Sequence, residues 1–171
     1  ELSALHPDFM GFIFYKKSPR YVSPYKVRKI IDALPPFITP VGVFVNTKEG
    51  AVKDILDFTK IRAVQLHGDE SPEYCSRFKH FTVIKVFRPA GGFDLQTLKN
   101  YSASAFLFDA HIPELYGGTG QVCDWDIVKA AKDFNRPVIL SGGLDVDNVQ
   151  EAITRVKPFA IDVSSGIESS P

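Results

Sequence analysis

The chain has 171 residues, 44% of them hydrophobic and 23% charged, and its 20 basic and 20 acidic side chains give a formal net charge of zero. This balance gives no electrostatic reason to expect a nucleic acid or an anionic membrane surface as a partner. No apolar run approaches the ~20 residues of a membrane span, and the first residues lack the pattern of a signal peptide. One globular domain over residues 1–171 is therefore predicted.

Seven apolar segments of strand length recur along the chain. Most of them are continuously apolar rather than alternating, which is typical of parallel strands buried on both faces. They are 11–15, 41–45, 63–67, 83–87, 106–110, 138–142 and 159–165. A closed (β/α) barrel needs eight strands, whereas an open doubly wound sheet tolerates seven, so the strand count leaves both folds open.

Helical patterns lie between these segments. Ser23-Pro24 and Ser71-Pro72 each resemble an N-cap followed by proline at the first helical position. The weakest helical pattern covers residues 91–104. Further helix starts are predicted at Thr47, at Asp124 or Asp126, and at Asp147.

An acidic residue ends the apolar segment 106–110. Burial of a carboxylate at the end of a strand is energetically unfavourable unless the carboxylate has a polar partner or a functional role. Asp109 is therefore a candidate site residue. The long segment that follows contains Gly117–Gly120, and a glycine-rich loop of this kind can fold over a ligand. The alternative is that Asp109 only caps the backbone of this loop.

Small residues follow the last two apolar segments. Gly142 and Gly143 come after one of them, and Ser164, Ser165 and Gly166 come after the other. Parallel (β/α) barrels often bind phosphate between their last two βα loops, through free backbone N–H groups. These five residues are candidates for a phosphate site, and the alternative for each loop is a tight turn with a capping serine.

Polar side chains also follow two earlier strands. Lys16, Lys17 and Arg20 follow the first, and Arg20 is the best candidate for an anion because its planar fork pairs bidentately with a carboxylate. Gln65 and His67 alternate with apolar neighbours, so they are expected to point into the mouth of a barrel together. The alternatives are a solvated basic loop and a structural histidine.

The two cysteines, Cys75 and Cys123, have neither metal-ligand nor C-x-x-C spacing. They are expected to be free thiols, which favours a cytoplasmic location. No group of residues has the spacing of a zinc or iron–sulfur site, so no metal is predicted.

Six segments, in this order and at this spacing, closely resemble the phosphoribosylanthranilate isomerase family: GFIFYKKSPRYVSP, VGVFVN, VQLHGDE, FDAHIPELYGGTGQVCDW, VILSGGLDVDNV and FAIDVSSGIESSP. The resemblance runs from about Asp8 to Pro171. It implies an α/β fold, a (β/α)8 TIM barrel of the phosphate-binding type. It also implies a cofactor-free Amadori rearrangement in tryptophan biosynthesis, in which N-(5-phosphoribosyl)anthranilate becomes an aminoketose phosphate.

The resemblance also implies roles for single residues. Asp109 would be the general acid, and Arg20 would face the anthranilate carboxylate. Gln65 and His67 are predicted to contact the substrate from their place at a strand end. The loops with Gly142, Gly143, Ser164, Ser165 and Gly166 would hold the phosphate. The expected partner is thus a phosphorylated small molecule, and the expected assembly is a monomer or a homodimer.

One feature of the family is not found in the sequence. The family carries its general base as a cysteine in a Lys-Ile-Cys-Gly segment at the end of the first strand, and the 171 residues contain no such segment. The first strand and the last helix of the barrel are thus expected to be absent from this chain. Two other functions stay open at this stage: another sugar-phosphate isomerase or epimerase, and a phosphate-binding barrel without catalytic activity.

Overall fold

The computed structural model describes residues 6–89, 92–110 and 124–169. These described residues form seven β-strands and five α-helices, and the strand pairs are parallel. The protein is therefore a parallel α/β fold, as the apolar segments predict. Contacts divide the chain into two compact units, Glu1–Val83 and Ile84–Pro171. A single domain over residues 1–171 and an eight-stranded barrel remain predictions.

The first unit contains three complete strands and three helices in alternation. Strand β2 pairs in parallel with β1 on one side and with β3 on the other, and all four residues of β3 are buried. Phe44, Leu56 and Phe78 are among the largest fully buried side chains. The elements are β1 (Phe9–Ile13), α1 (Pro24–Asp32), β2 (Thr39–Phe44), α2 (Glu49–Thr59), β3 (Ala63–Leu66) and α3 (Pro72–Ser76).

The second unit also has parallel strands in chain order, and an aromatic cluster around Phe87 fills part of its core. The ring centroid of Phe87 lies 5.1 Å from that of Tyr101, 5.5 Å from that of Phe106 and 5.8 Å from that of Phe108. The elements are β4 (Thr82–Phe87, which begins in the first unit), a 3₁₀ helix (Leu95–Asn100), β5 (Ala105–Phe108), α4 (Trp125–Ala131), a 3₁₀ helix (Lys132–Phe134), β6 (Val138–Leu140), α5 (Val149–Val156), β7 (Ala160–Ile161) and a 3₁₀ helix (Ser165–Ile167).

Three predicted helix starts are confirmed. The Ser23 hydroxyl accepts a hydrogen bond from the Lys26 N–H at 3.4 Å, and the Ser71 hydroxyl accepts one from the Tyr74 N–H at 3.2 Å. Each serine is followed by proline at the start of its helix. Of the two aspartates proposed for α4, Asp124 is the N-cap. These starts depend on local chemistry alone, which is why the sequence predicts them.

Two predicted caps are wrong. The Thr47 hydroxyl donates to the Val45 carbonyl at 3.2 Å, and α2 begins after Lys48 without a side-chain cap. The N-cap of α5 is Asn148, whereas the Asp147 N–H donates to the Asp145 carboxylate at 2.9 Å. Thr47 through its side chain and Asp147 through its backbone N–H each belong to a turn before the helix, and such local turns compete with capping.

Two further elements are shorter than the sequence predicts. The weak helical pattern at 91–104 is a 3₁₀ helix over Leu95–Asn100. The last strand, predicted over 159–165, is only Ala160–Ile161. None of the helices among the described residues has both the length and the apolar character needed to cross a membrane.

Candidate active site

The loop that follows β1 holds Arg20 partly buried. The Ser18 N–H donates to the Tyr15 carbonyl at 3.0 Å, and the Tyr21 N–H donates to the Ser18 carbonyl at 3.1 Å. The Ser18 hydroxyl accepts the Arg20 N–H at 3.2 Å, so the loop turns tightly just before the arginine. Lys16 and Lys17 are exposed whereas Arg20 is half-buried. Of the three cations, Arg20 is thus the one that is partly buried.

Gln65 and His67 come together at the end of β3. Both are only 8% exposed, and the Gln65 Nε2 lies 3.1 Å from the His67 Nδ1. The His67 N–H donates to the Phe44 carbonyl at 2.8 Å, which continues the pairing with β2 past the end of the strand. The Gln65 amide nitrogen is a donor, so the His67 Nδ1 is the acceptor in this contact. The two side chains therefore lie together, as expected, and their orientation into the mouth of a barrel stays a prediction.

Sequence reasoning missed a buried carboxylate next to this pair. Glu70 is 6% exposed, and its Oε1 accepts the Asn46 N–H at 2.8 Å. Its Oε2 accepts the Gly68 N–H at 2.9 Å. A Cβ on Gly68 would lie 2.7 Å from the Asn46 backbone nitrogen, so the two loops meet too closely for a side chain there. Asn46, Gly68 and Glu70, which we call the loop clasp, join the loop after β2 to the loop after β3.

Two further contacts reinforce the loop clasp. The Asn46 Oδ1 accepts the Asp69 N–H at 2.7 Å. The Tyr74 hydroxyl donates to the Thr47 carbonyl, which attaches α3 to the loop after β2. Burial, with the negative charges of Glu70 and Glu49, raises the pKa of Tyr74 to about 12, so this hydroxyl is protonated at neutral pH. Asn46 is more than 20 residues away from Gly68-Asp69-Glu70, so no short sequence motif predicts these contacts.

In the second unit, Asp109 follows β5 and is buried. Asp109 is 3% exposed. Its Oδ1 accepts a hydrogen bond from the Ala110 N–H at 2.8 Å. The Asp109 N–H donates to the Phe87 carbonyl at 2.9 Å, which fixes the backbone beside β4. The glycine-rich segment Gly117–Gly120 and Cys123 lie outside the described residues. The predicted acid therefore lies at a strand end, where its own backbone holds one carboxylate oxygen.

The loop after β6 has two successive glycines in the left-handed region. Gly142 has φ 87° and Gly143 has φ 65°. The Gly143 carbonyl accepts a hydrogen bond from the Asn148 side-chain amide at 2.7 Å, and the Asn148 Oδ1 accepts the Asp145 N–H at 3.2 Å. Asn148 thus ties the loop to the start of α5. A fixed loop of this conformation can present backbone N–H groups to an anion without further ordering.

The loop after β7 packs directly on the loop after β6. A Cβ on Gly166 would lie 2.0 Å from the Leu144 carbonyl oxygen and 3.0 Å from the Asp145 Cα. The Ser141 hydroxyl donates a hydrogen bond to the Asp162 Oδ2 at 3.4 Å. Ser164 is exposed, and Ser165 begins the short 3₁₀ helix. The predicted phosphate residues are thus brought together, with a serine hydroxyl open to solvent.

Asp109 and the loop after β6 are also neighbours. The Ser141 N–H donates to the Phe108 carbonyl at 2.8 Å, and an atom added at the Gly142 Cβ position would lie 2.9 Å from the Asp109 Oδ1. Within the second unit, the structure therefore places the predicted acid beside the first of the predicted phosphate loops. Among residues 6–89, 92–110 and 124–169, no three His, Cys, Asp or Glu side chains are grouped as a metal site.

Comparisons with known proteins identify the family of this chain. The family model described as "N-(5'phosphoribosyl)anthranilate (PRA) isomerase" matches residues 2–170. The N-(5'-phosphoribosyl)anthranilate isomerase of Geobacter sulfurreducens is 48% identical over 164 residues, which cover 96% of this chain and 80% of that protein.

Solved structures agree as well. The crystal structure of phosphoribosyl anthranilate isomerase from Thermotoga maritima has a TM-score of 0.89 at 40% identity, over 99% of this chain and 84% of that one. A second such structure, in complex with reduced 1-(o-carboxyphenylamino)-1-deoxyribulose 5-phosphate, has a TM-score of 0.85 at 38% identity and covers 99% and 83% of the two chains. This chain belongs to the N-(5'-phosphoribosyl)anthranilate isomerase family.

Proposed function

We propose that the protein converts N-(5'-phosphoribosyl)anthranilate into 1-(2-carboxyphenylamino)-1-deoxyribulose 5-phosphate, a step of tryptophan biosynthesis, with Asp109 as the general acid. The observation that carries the proposal is the buried Asp109 carboxylate beside Gly142, because it puts a proton donor next to a loop suited to phosphate. A solved relative that is 38% identical binds a reduced analogue of this product. The fold proposed for the active protein is the eight-stranded phosphate-binding barrel.

The reaction needs one acid and one base. Asp109 protonates the ribose ring oxygen as the C1–O bond breaks, which leaves an open-chain Schiff base. A base then removes the C2 proton, and the resulting enolamine takes up one proton at C1 and loses one from its C2 hydroxyl as it becomes the ketone. No oxidant, reductant or cofactor enters this sequence of steps. Substrate and product are isomers, so atoms and electrons balance.

We assign no base among the described residues. Cys75 is completely buried in α3, where it cannot reach a substrate. The family resemblance puts the base in a Lys-Ile-Cys-Gly segment, which the 171-residue sequence does not contain. The test of the proposed function is therefore a turnover assay on the purified product of the complete gene that follows the fluorescence of the anthranilate group. Decay of the substrate signal supports the proposal, and a stable signal with folded protein contradicts it.

The phosphate site that we propose uses Gly142, Gly143, Ser164, Ser165 and Gly166. Backbone N–H groups and serine hydroxyls are the donors that phosphate oxygens need. The close contact of Gly166 with the Leu144 carbonyl keeps the two loops together, so both can contact one phosphate.

Substitution of Gly166 by alanine tests this site. A Cβ 2.0 Å from a backbone oxygen must push the two loops apart. We expect the KM to rise about 10- to 100-fold, because hydrogen bonds to a charged group contribute about 1.5–3 kcal/mol. The matched control is Gly50→Ala in α2, where nothing lies within 4 Å of the new Cβ. The control is expected to keep its KM, and an equal KM for Gly166→Ala would contradict the proposed site.

The substrate carboxylate is proposed to pair with Arg20, and Gln65 and His67 are proposed to contact the polar groups of the substrate. Arg20 is half-buried, so part of its hydration is already lost before an anion arrives. Gln65 holds the His67 ring through the Nδ1.

Truncation of Arg20 to alanine is expected to lower kcat/KM by about 1.5–3 kcal/mol in transition-state free energy, the usual contribution of a hydrogen bond to a charged group. The matched control is Lys17→Ala, which removes an exposed cation from the same loop. Steady-state kinetics on both variants separate a specific contact from a general loss of positive charge. Equal kcat/KM values for the two variants would rule out the Arg20 contact.

A further inference from the structure

The Asp109 carboxylate is held in part by the backbone of the next residue. Its Oδ1 accepts the Ala110 N–H at 2.8 Å, an interaction with the next residue of its own chain. The backbone at Phe108 and Asp109 pairs with a neighbouring segment on each side. The Asp109 N–H donates to the Phe87 carbonyl, and the Phe108 carbonyl accepts the Ser141 N–H. These bonds bring the residue after Ser141 directly beside the Asp109–Ala110 peptide.

That residue is Gly142, and no other residue type fits in its place. A Cβ there would lie 2.4 Å from the Ala110 nitrogen, 2.9 Å from the Asp109 Oδ1 and 3.0 Å from the Ala110 Cβ. The first two are the donor and the acceptor of the hydrogen bond that holds the carboxylate. A side chain at 142 would therefore have to displace the bond itself, or the backbone that carries it.

We infer that Gly142 is a positioning residue for Asp109, in addition to its place in the proposed phosphate site: the absence of a side chain leaves the Ala110 N–H and the carboxylate in contact. The inference rests on the proposed role of Asp109 as the general acid. A general acid must lie within hydrogen-bonding reach of the atom that it protonates, so a small displacement of the carboxylate lowers the rate of the chemical step.

Gly142 also has φ 87°, which disfavours any L side chain, and this strain must be separated from the contact with Asp109. Gly92 provides the control. Its φ is 84°, and nothing lies within 4 Å of the position of its Cβ. Gly92→Ala therefore introduces the same backbone strain in the same unit without the contact.

The experiment is a kinetic double-mutant cycle on the full chain, with Gly142→Ala, Asp109→Asn, both together, and Gly92→Ala. Circular dichroism first establishes that each variant is folded at the assay temperature. We expect Gly142→Ala to lower kcat about 10- to 100-fold, the effect of a displacement of about 1 Å at a reacting group. The KM for the substrate and the inhibition constant of inorganic phosphate are expected to rise less than kcat falls, because alanine keeps the backbone N–H of residue 142.

The cycle distinguishes positioning from a purely structural role. If Gly142 acts through Asp109, Gly142→Ala lowers the residual kcat of the Asp109→Asn variant by less than about threefold, since the acid is already lost. Equal losses of kcat in both backgrounds would overturn the inference. A change confined to KM and phosphate inhibition would also overturn it, and would leave Gly142 as a phosphate residue only. An Asp109→Asn variant with unchanged kcat would instead contradict the proposed function itself.

If Gly142→Ala is unfolded at the assay temperature, thermal unfolding is measured instead. The cycle then combines Gly142→Ala with Asp109→Ala, which removes the Oδ1 that the new methyl group would meet. We expect Gly142→Ala to lower the Tm less in the Asp109→Ala background than in the wild type. The same decrease in Tm in both backgrounds would overturn the inference.

Discussion

Replacement of Asp109 by asparagine is expected to lower kcat about 10²- to 10⁴-fold, the usual contribution of a positioned general acid. Asparagine has nearly the same shape, and its Oδ1 can accept the Ala110 N–H as the carboxylate does at 2.8 Å. The substitution thus preserves the local structure while it removes a group that can give up a proton. The KM is expected to change far less than kcat. Steady-state kinetics with the fluorescent substrate measure both constants.

Asp162 provides the matched control for this substitution. It follows β7 as Asp109 follows β5, and its Oδ2 lies 3.4 Å from the Ser141 hydroxyl. Asp162→Asn changes the charge of the second unit by the same amount at another strand end. We expect its kcat to stay within about a factor of ten of the wild-type value. If both variants lost activity to the same extent, the effect would reflect charge and not a proton donated by Asp109.

Most of the fold could be predicted because its signals are local. A buried parallel strand is a short apolar run, and the serine–proline starts of α1 and α3 need only three or four residues. The mistaken caps show where local signals fail. Asp145, Asp147 and Asn148 can each cap a helix, and the choice depends on a turn in which the Asp145 carboxylate accepts two backbone N–H groups. Because three possible capping residues lie within four positions, the sequence alone does not show which of them caps α5.

The residues of the candidate site likewise differ in whether the local sequence predicts them. Asp109 was recognisable because a carboxylate at the end of an apolar strand is costly, and it is indeed buried there. Glu70 was not recognisable, because the Asn46 N–H that it accepts lies 24 residues away. The contact of Gly142 with Asp109 and Ala110 likewise joins segments that are distant in sequence. Contacts between loops depend on the assembled strands, so only the structure gives them.

Glu70 leads to the second large effect, this time on stability. Glu70→Ala would leave the Asn46 and Gly68 N–H groups without the carboxylate that they contact at 2.8 and 2.9 Å. The Gly68 N–H is buried whereas Asn46 is exposed, so one buried donor loses this acceptor, which predicts a decrease of about 1–3 kcal/mol in the free energy of unfolding. Urea denaturation measures this decrease. Glu73→Ala is the control, because it removes an exposed carboxylate from α3, and its effect is expected to stay below about 1 kcal/mol.

Glu70→Gln separates the charge of the loop clasp from its shape. Glutamine keeps one carbonyl oxygen for an N–H group but turns an amide N–H₂ toward the other, so we expect an effect between those of alanine and the wild type. The same variants reveal whether the clasp serves the site. Far below the Tm nearly every molecule is folded, so a lower kcat/KM for Glu70→Gln there would reflect a displaced loop after β3, which carries His67. If stability falls while kcat/KM keeps its wild-type value, the loop clasp supports the fold alone, and Gln65 holds His67 without it.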